Sequence, residues 1–127
     1  MYATNPYNAY KQNSVNTASK EQLLLMLVDG AVKYTKIARL AIMEKDMSRA
    51  HKELVRVQDI FIELMVTIDR NLGKHMNDLY NIYDYIKSEL IRANIKKDIS
   101  IIDNVLPLIE EVRNMWHDVD KKIKISK

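Results

Sequence analysis

From Leu23 to Ile42 the apolar positions fall into two strips. Leu23, Leu27, Ala31, Tyr34, Ala38 and Ala41 follow the three-and-four spacing of one α-helical face, and Leu24, Val28, Val32 and Ile42 run beside them. Leu23 to Val28 is apolar all the way round, so that turn must be covered on two sides. Ser19, with Gln22 three residues on, has the form of a capping box, in which each side chain satisfies the other residue's free backbone N–H. Gly30 lies mid-helix, where it costs about 1 kcal/mol relative to Ala. That position points to a neighbouring helix passing close to the backbone. The pattern predicts a helix over 19–43 at the centre of a bundle.

Three more segments repeat the pattern. A second helix is expected over 47–72, with Asp46 or Ser48 as N-cap and Gly73 as the residue that stops it. Its core stripe is Leu54, Val57, Phe61, Leu64, Met65, Ile68 and Leu72. Val55, Ile62 and Val66 form a second strip, and Glu53 falls among the polar positions. A third helix is expected over 76–94, with Leu79, Tyr83 (or Ile82), Ile86, Leu90 and Ala93 inward and Asn94 as its stop. A fourth, over 98–121, directs Ile101, Val105, Leu108, Val112, Met115 and Val119 inward, with Ile102, Ile109 and Trp116 beside them. Pro107 removes one hydrogen bond from that helix and predicts a kink near Asp103, or else a restart at Pro107. Short connections make successive helices antiparallel neighbours. The expected fold is all-α: one domain over 1–127, an antiparallel up-down-up-down four-helix bundle with a flexible N-terminal arm over 1–18.

Composition fits that picture. In 127 residues there are two Gly and two Pro, 47% of residues are apolar and 29% are charged. A chain of this length buries a core of its own, so neither a disulfide nor a metal is needed for stability. With no Cys there is no thiol chemistry, and a cytosolic protein is expected. No signal peptide and no membrane span are visible. The net charge of +3 owes much to Lys121, Lys122, Lys124 and Lys127, read as a solvated terminus.

Candidate chemistry is sparse. His51, His75 and His117 sit on separate segments without metal-ligand spacing, and two glycines cannot make a phosphate loop. Asp29 lies inside an apolar run, yet no nucleophile or base accompanies it; pairing across the bundle is the stronger reading. Tyr80, Tyr83 and Tyr85 could stack on bases, but Asp78, Asp84 and Glu89 between and beside them would repel phosphates. A non-enzyme without cofactor or metal, binding neither nucleic acid nor membrane, is expected. What stands out is surplus apolar surface on several helices, together with Tyr2, Tyr7 and Tyr10 in an otherwise polar arm. Both suit a groove that accepts an apolar helix from a protein partner, with the arm as a detachable cover.

Asn8-Ala9-Tyr10, Thr17-Ala18-Ser19, Leu25-Met26-Leu27 and Asp29-Gly30-Ala31 are followed by Ile60 with Glu63-Leu64, then by Asn77-Asp78-Leu79. Tyr83-Asp84-Tyr85-Ile86, Leu90 with Ala93-Asn94, Asp98 and Trp116 complete a pattern that resembles the flagellar secretion chaperone family FliS over nearly the whole chain. Lys20, where the family often has proline, and Pro107 depart from it. The resemblance implies a cytoplasmic four-helix bundle that binds the disordered C-terminal region of flagellin, prevents premature polymerisation and keeps the subunit competent for type III export. It also implies an N-terminal segment that occupies part of the client site, a role matching Tyr7 and Tyr10. Flagellar export or regulatory proteins stay open as further partners. The expected partner-binding residues are Tyr7, Tyr10, Val55, Ile62, Val66, Tyr80 and Tyr83. A general adaptor for another amphipathic helix is the alternative.

Overall fold

A computed structural model of the protein describes residues 19–126. Helix α1 spans Lys20–Met43, α2 Met47–Val66, α3 Lys74–Lys96 and α4 Ile99–Ser126, with a 3-10 turn at Arg70–Leu72 between α2 and α3. Each helix packs on the next and α4 closes back on α1; among the described residues the backbones of the diagonal helices stay apart, with one core between all four. Side-chain pairs fix the directions. Asp29, Lys36 and Arg39 ascend α1 while their partners His117, Glu110 and Asp103 descend α4. Phe61 meets Tyr83 and His51 meets Asn94 in the same sense between α2 and α3. The architecture is therefore the all-α, antiparallel, up-down-up-down four-helix bundle.

The capping box forms as expected. The Ser19 hydroxyl accepts from the Gln22 N–H at 3.1 Å, and the Ser19 N–H donates to the Gln22 side chain at 3.0 Å. Asp46 caps α2 by accepting from the Arg49 N–H. The α3 core stripe is Leu79, Tyr83, Ile86, Leu90 and Ala93, and Ile82 faces out.

Several elements differ from the sequence expectation. Helix α2 ends at Val66, not Leu72. The Thr67 hydroxyl donates to the Leu64 carbonyl at 2.6 Å, and the Asp69 carboxylate accepts from the Asn71 N–H at 2.9 Å. These short polar side chains offer the backbone bonds that compete with the helix. Leu72 is consequently 73% exposed instead of core. Gly73 does not stop α2; it precedes α3 with φ +111° and ψ −174°, a conformation essentially reserved for glycine. Helix α3 passes Asn94 and ends at Lys96, with Lys97 left-handed. Helix α4 runs through Pro107 from Ile99, which excludes a restart at the proline. The proline ring is on the exposed side of the helix, where a freed carbonyl can meet water. The inward face of α4 is also rotated from the expected one: Ile101, Ile102, Val105, Ile109 and Val112 are buried, while Leu108, Met115 and Val119 sit at its edge. Glu53, expected on a polar face, is 5% exposed and receives the Arg56 guanidinium at 3.0 Å. An isolated carboxylate at that depth would be costly, and the ion pair offsets the cost.

Candidate partner-binding surface

The α3–α4 seam is held from inside by two large side chains. Tyr83 is 1% exposed, with its ring 5.8 Å from that of Phe61. Its hydroxyl accepts from the Trp116 indole N–H at 2.8 Å. Burial raises the Tyr83 pKa from 10.0 to about 12, against the opposing pull of the Trp116 hydrogen bond. The spacing of two helices follows the side chains between them. With a tyrosine and a tryptophan at this level, the outer edge of the seam stays open.

A groove of about 450 Å³ results, with Leu79 and Val112 as its floor. Ile82 and Tyr85 form the α3 wall, Leu108 and Met115 the α4 wall, and Asn81 and Glu111 stand at the edges. The lining is almost wholly apolar, and Tyr85 is 54% exposed. Two further recesses continue along α4. One, about 410 Å³, is lined by Glu111, Asn114, Met115, Asp118, Val119 and Lys122. The other, about 60 Å³, lies where the start of α1 meets the end of α4, among Leu24, Leu25, Trp116, Val119 and Ile123, with Glu21 and Asp120 at its edge. Neighbouring recesses share Glu111 and Met115, then Val119, so together they form one track over α4.

The expected site residues divide. Val55, Ile62 and Val66 share the outward strip of α2, with Ile62 and Val66 exposed and Val55 half-buried. Tyr80 is half-buried, and the Arg70 guanidinium lies over its ring at 4.3 Å. Tyr83 is a core residue and drops out of the surface set: its position on α3 directs it at Phe61, not outward. Tyr7 and Tyr10 lie outside the described residues. Sequence reasoning missed the groove walls. Ile82 and Tyr85, three apart and off the core stripe of α3, were the available signal, but the α4 wall was hidden because Leu108 and Met115 fit an inward stripe equally well.

Little else gathers polar groups. Asp29 is exposed and pairs with His117 at 2.7 Å, so it bridges α1 and α4 as the stronger sequence reading had it. Arg39 grips Asp103 through two nitrogens, at 2.6 and 3.2 Å, and this holds the Asp103 carboxyl below its ordinary pKa. Among the described residues no group of His, Asp or Glu is placed to hold a metal ion. No helix of the described residues is long and apolar enough to cross a membrane.

An antiparallel helical bundle with an open, largely but not wholly apolar track along one helix is the class defined by this fold and surface, and comparison with known proteins makes it specific. A family model described as flagellar protein FliS matches residues 3–123. The chain is 39% identical over 116 residues to the flagellar secretion chaperone FliS of Bacillus subtilis, covering 91% of this chain and 86% of that one. It is 30% identical over 128 residues to the flagellar secretion chaperone FliS of Salmonella typhimurium, covering 96% and 95%. A solved structure described as a crystal structure of a flagellar chaperone from bacteria shares the fold, with a TM-score of 0.72 at 14% identity over 91% of this chain and 95% of that one. The chain belongs to the FliS family and is a flagellar secretion chaperone, which implies a protein partner in flagellar export.

Proposed function

We propose that this chaperone binds the C-terminal region of flagellin in the bacterial cytoplasm, prevents its premature polymerisation and keeps it competent for type III export. The α3–α4 groove carries the reading. It is apolar and open, with its walls drawn from about two turns of each helix, which suits a client segment that folds as it binds. Family membership supplies flagellar export as the setting. The outward strip of Val55, Ile62 and Val66, with Tyr80, is a second contact surface in this proposal, and through the family resemblance Tyr7 and Tyr10 belong to an arm that occupies part of the client site when no client is bound. The chemistry required is burial of apolar area and exclusion of self-association; no reacting group is invoked.

Titrating the protein with flagellin's C-terminal segment by calorimetry, with circular dichroism in parallel, tests this. Tight one-to-one binding, a negative heat-capacity change and a gain of helix are expected. Ile82→Asp with Met115→Asp should weaken binding at least about tenfold, as hot-spot truncations do, while helix content stays at the wild-type level. Val55→Asp with Ile62→Asp tests the second surface in the same way; loss of folding in that variant would return both residues to the core. Absence of binding across salt concentrations would remove flagellin as the client.

A further inference from the structure

Tyr83 is the largest fully buried side chain among the described residues. A phenylalanine would fill almost the same volume without taking a hydroxyl out of water, which costs free energy unless the group is hydrogen-bonded. The Tyr83 hydroxyl is answered by the Trp116 indole N–H at 2.8 Å. Neither residue lines the α3–α4 groove, and Trp116 lines the recess against α1 instead. Their neighbours in sequence do line it. Ile82 and Met115, each directly before a member of the pair, are groove walls, and the floor residues Leu79 and Val112 each lie four positions before one. Because α3 and α4 run antiparallel, Leu79 and Val112 fall about one turn to either side of the bonded pair, which therefore stands behind the middle of the groove.

We propose that Tyr83 and Trp116 are positioning residues for client binding: joined by their hydrogen bond, they hold α3 and α4 at the separation the groove needs, and they act on the client only through Ile82, Met115 and the groove floor. The inference rests on the client reading above and adds what keeps that site open before the client arrives. Interaxial distance follows the side chains at a contact. With small apolar side chains at this level the seam would close until Ile82 and Met115 met, because that takes both out of water. Two large rings prevent the closure. The directional bond between them keeps the rings in the seam, since an indole N–H without its acceptor would turn toward water.

The chain has no cysteine, so Asn81→Cys with Glu111→Cys places spin labels at the two edges of the groove and nowhere else. Their separation is measured without client in the otherwise wild-type chain, in Tyr83→Phe, in Trp116→Phe, and in Tyr83→Leu with Trp116→Leu. Affinity for flagellin's C-terminal segment is measured in the same proteins without labels. The leucine pair should bring the labels about 1–2 Å closer, the range over which helix spacing follows side-chain size. It should also weaken binding at least about tenfold. Tyr83→Phe keeps the ring and should weaken binding about two- to tenfold, the loss of one hydrogen bond. In the Trp116→Phe background it should add nothing, since the two residues act as one unit. Trp116 is the sole tryptophan, so fluorescence quenching by iodide should rise in Tyr83→Phe as the indole loosens. Val57→Ala, a buried truncation on α2, should lower stability yet leave label separation and affinity unchanged, which separates positioning from stability. If the leucine pair fails to fold, the two phenylalanine variants carry the test by themselves. Wild-type separation and affinity in every pair variant overturn the spacer and leave the client reading intact. A narrowed groove with wild-type affinity overturns the pair's role in client binding. No binding by the wild type overturns the client reading and that role together.

Discussion

The α1–α2 and α3–α4 seams are made from the same kinds of residue, yet one is sealed and the other open. In the first, a Cβ added at Gly30 would come within 3.3 Å of the Tyr34 ring on the same helix and would meet Ile60 of α2 at 3.6 Å, an ordinary contact distance, so the two helices are packed closely here. The Arg56 guanidinium then lies 3.9 Å over Tyr34 while holding the buried carboxylate of Glu53. Ala31 and Ala38 of α1 and Ala50 of α2 are all buried. In the second, among the described residues, the one polar link across the seam is the Trp116–Tyr83 hydrogen bond, and no ion pair joins the helices. The α1–α4 seam, by contrast, carries three pairs that set its register. Stability in this bundle thus concentrates where small side chains and satisfied charges close the surface. The open seam keeps its apolar edge for a partner.

Phe61→Ala and Tyr85→Ala test that division most directly. Phe61 is fully buried, and its truncation should cost about 3–5 kcal/mol in urea unfolding. Tyr85→Ala, at the groove wall, should change stability by no more than about 0.5 kcal/mol. Equal destabilisation by the two would mean that the groove wall is core after all.

Alkaline pH probes the inner side of the open seam. Tyr83 has its folded pKa raised to about 12 by burial, so its contribution is fully present below the unfolded value near 10.0 and is lost as pH rises through the folded value. That two-unit displacement corresponds to about 2–3 kcal/mol of stability lost over that window. Unfolding curves at increasing pH should show the loss, Tyr83→Phe should flatten it, and Tyr83 should be among the last tyrosines to ionise in an absorbance titration. If Tyr83→Phe left the alkaline profile unchanged, the buried hydroxyl would not be its source.

The smallest effect is expected at Gly30→Ala. The gain in helix propensity, about 1 kcal/mol, opposes the tight contact with Tyr34, and the net change should stay within about 0.5 kcal/mol. A loss above about 2 kcal/mol in thermal or urea unfolding would show that the Tyr34–Arg56 stack cannot yield, and would make the sealed seam more rigid than its contacts imply.

Local signals and strong periodicity carried far in this chain. Ser19 and Gln22 determine the start of α1 because their capping bonds join residues three apart and need no other helix. The α3 stripe was legible because its flanks are polar enough to leave one apolar face. The number and antiparallel order of the helices follow from stripes joined by short connections. Other features depended on where neighbouring helices came to rest. Apolar strips on α4 lie only a fraction of a turn apart, so periodicity alone could not separate Ile109, which is buried, from Leu108 and Met115, which wall the groove. The end of α2 hung on competing side-chain bonds from Thr67 and Asp69, within a pattern that still read as helix. Periodicity reports the direction of a side chain around its own axis. Whether that direction meets a core, an ion pair or an open groove depends on interhelical spacing, which on the open side of the bundle follows Tyr83 with Trp116.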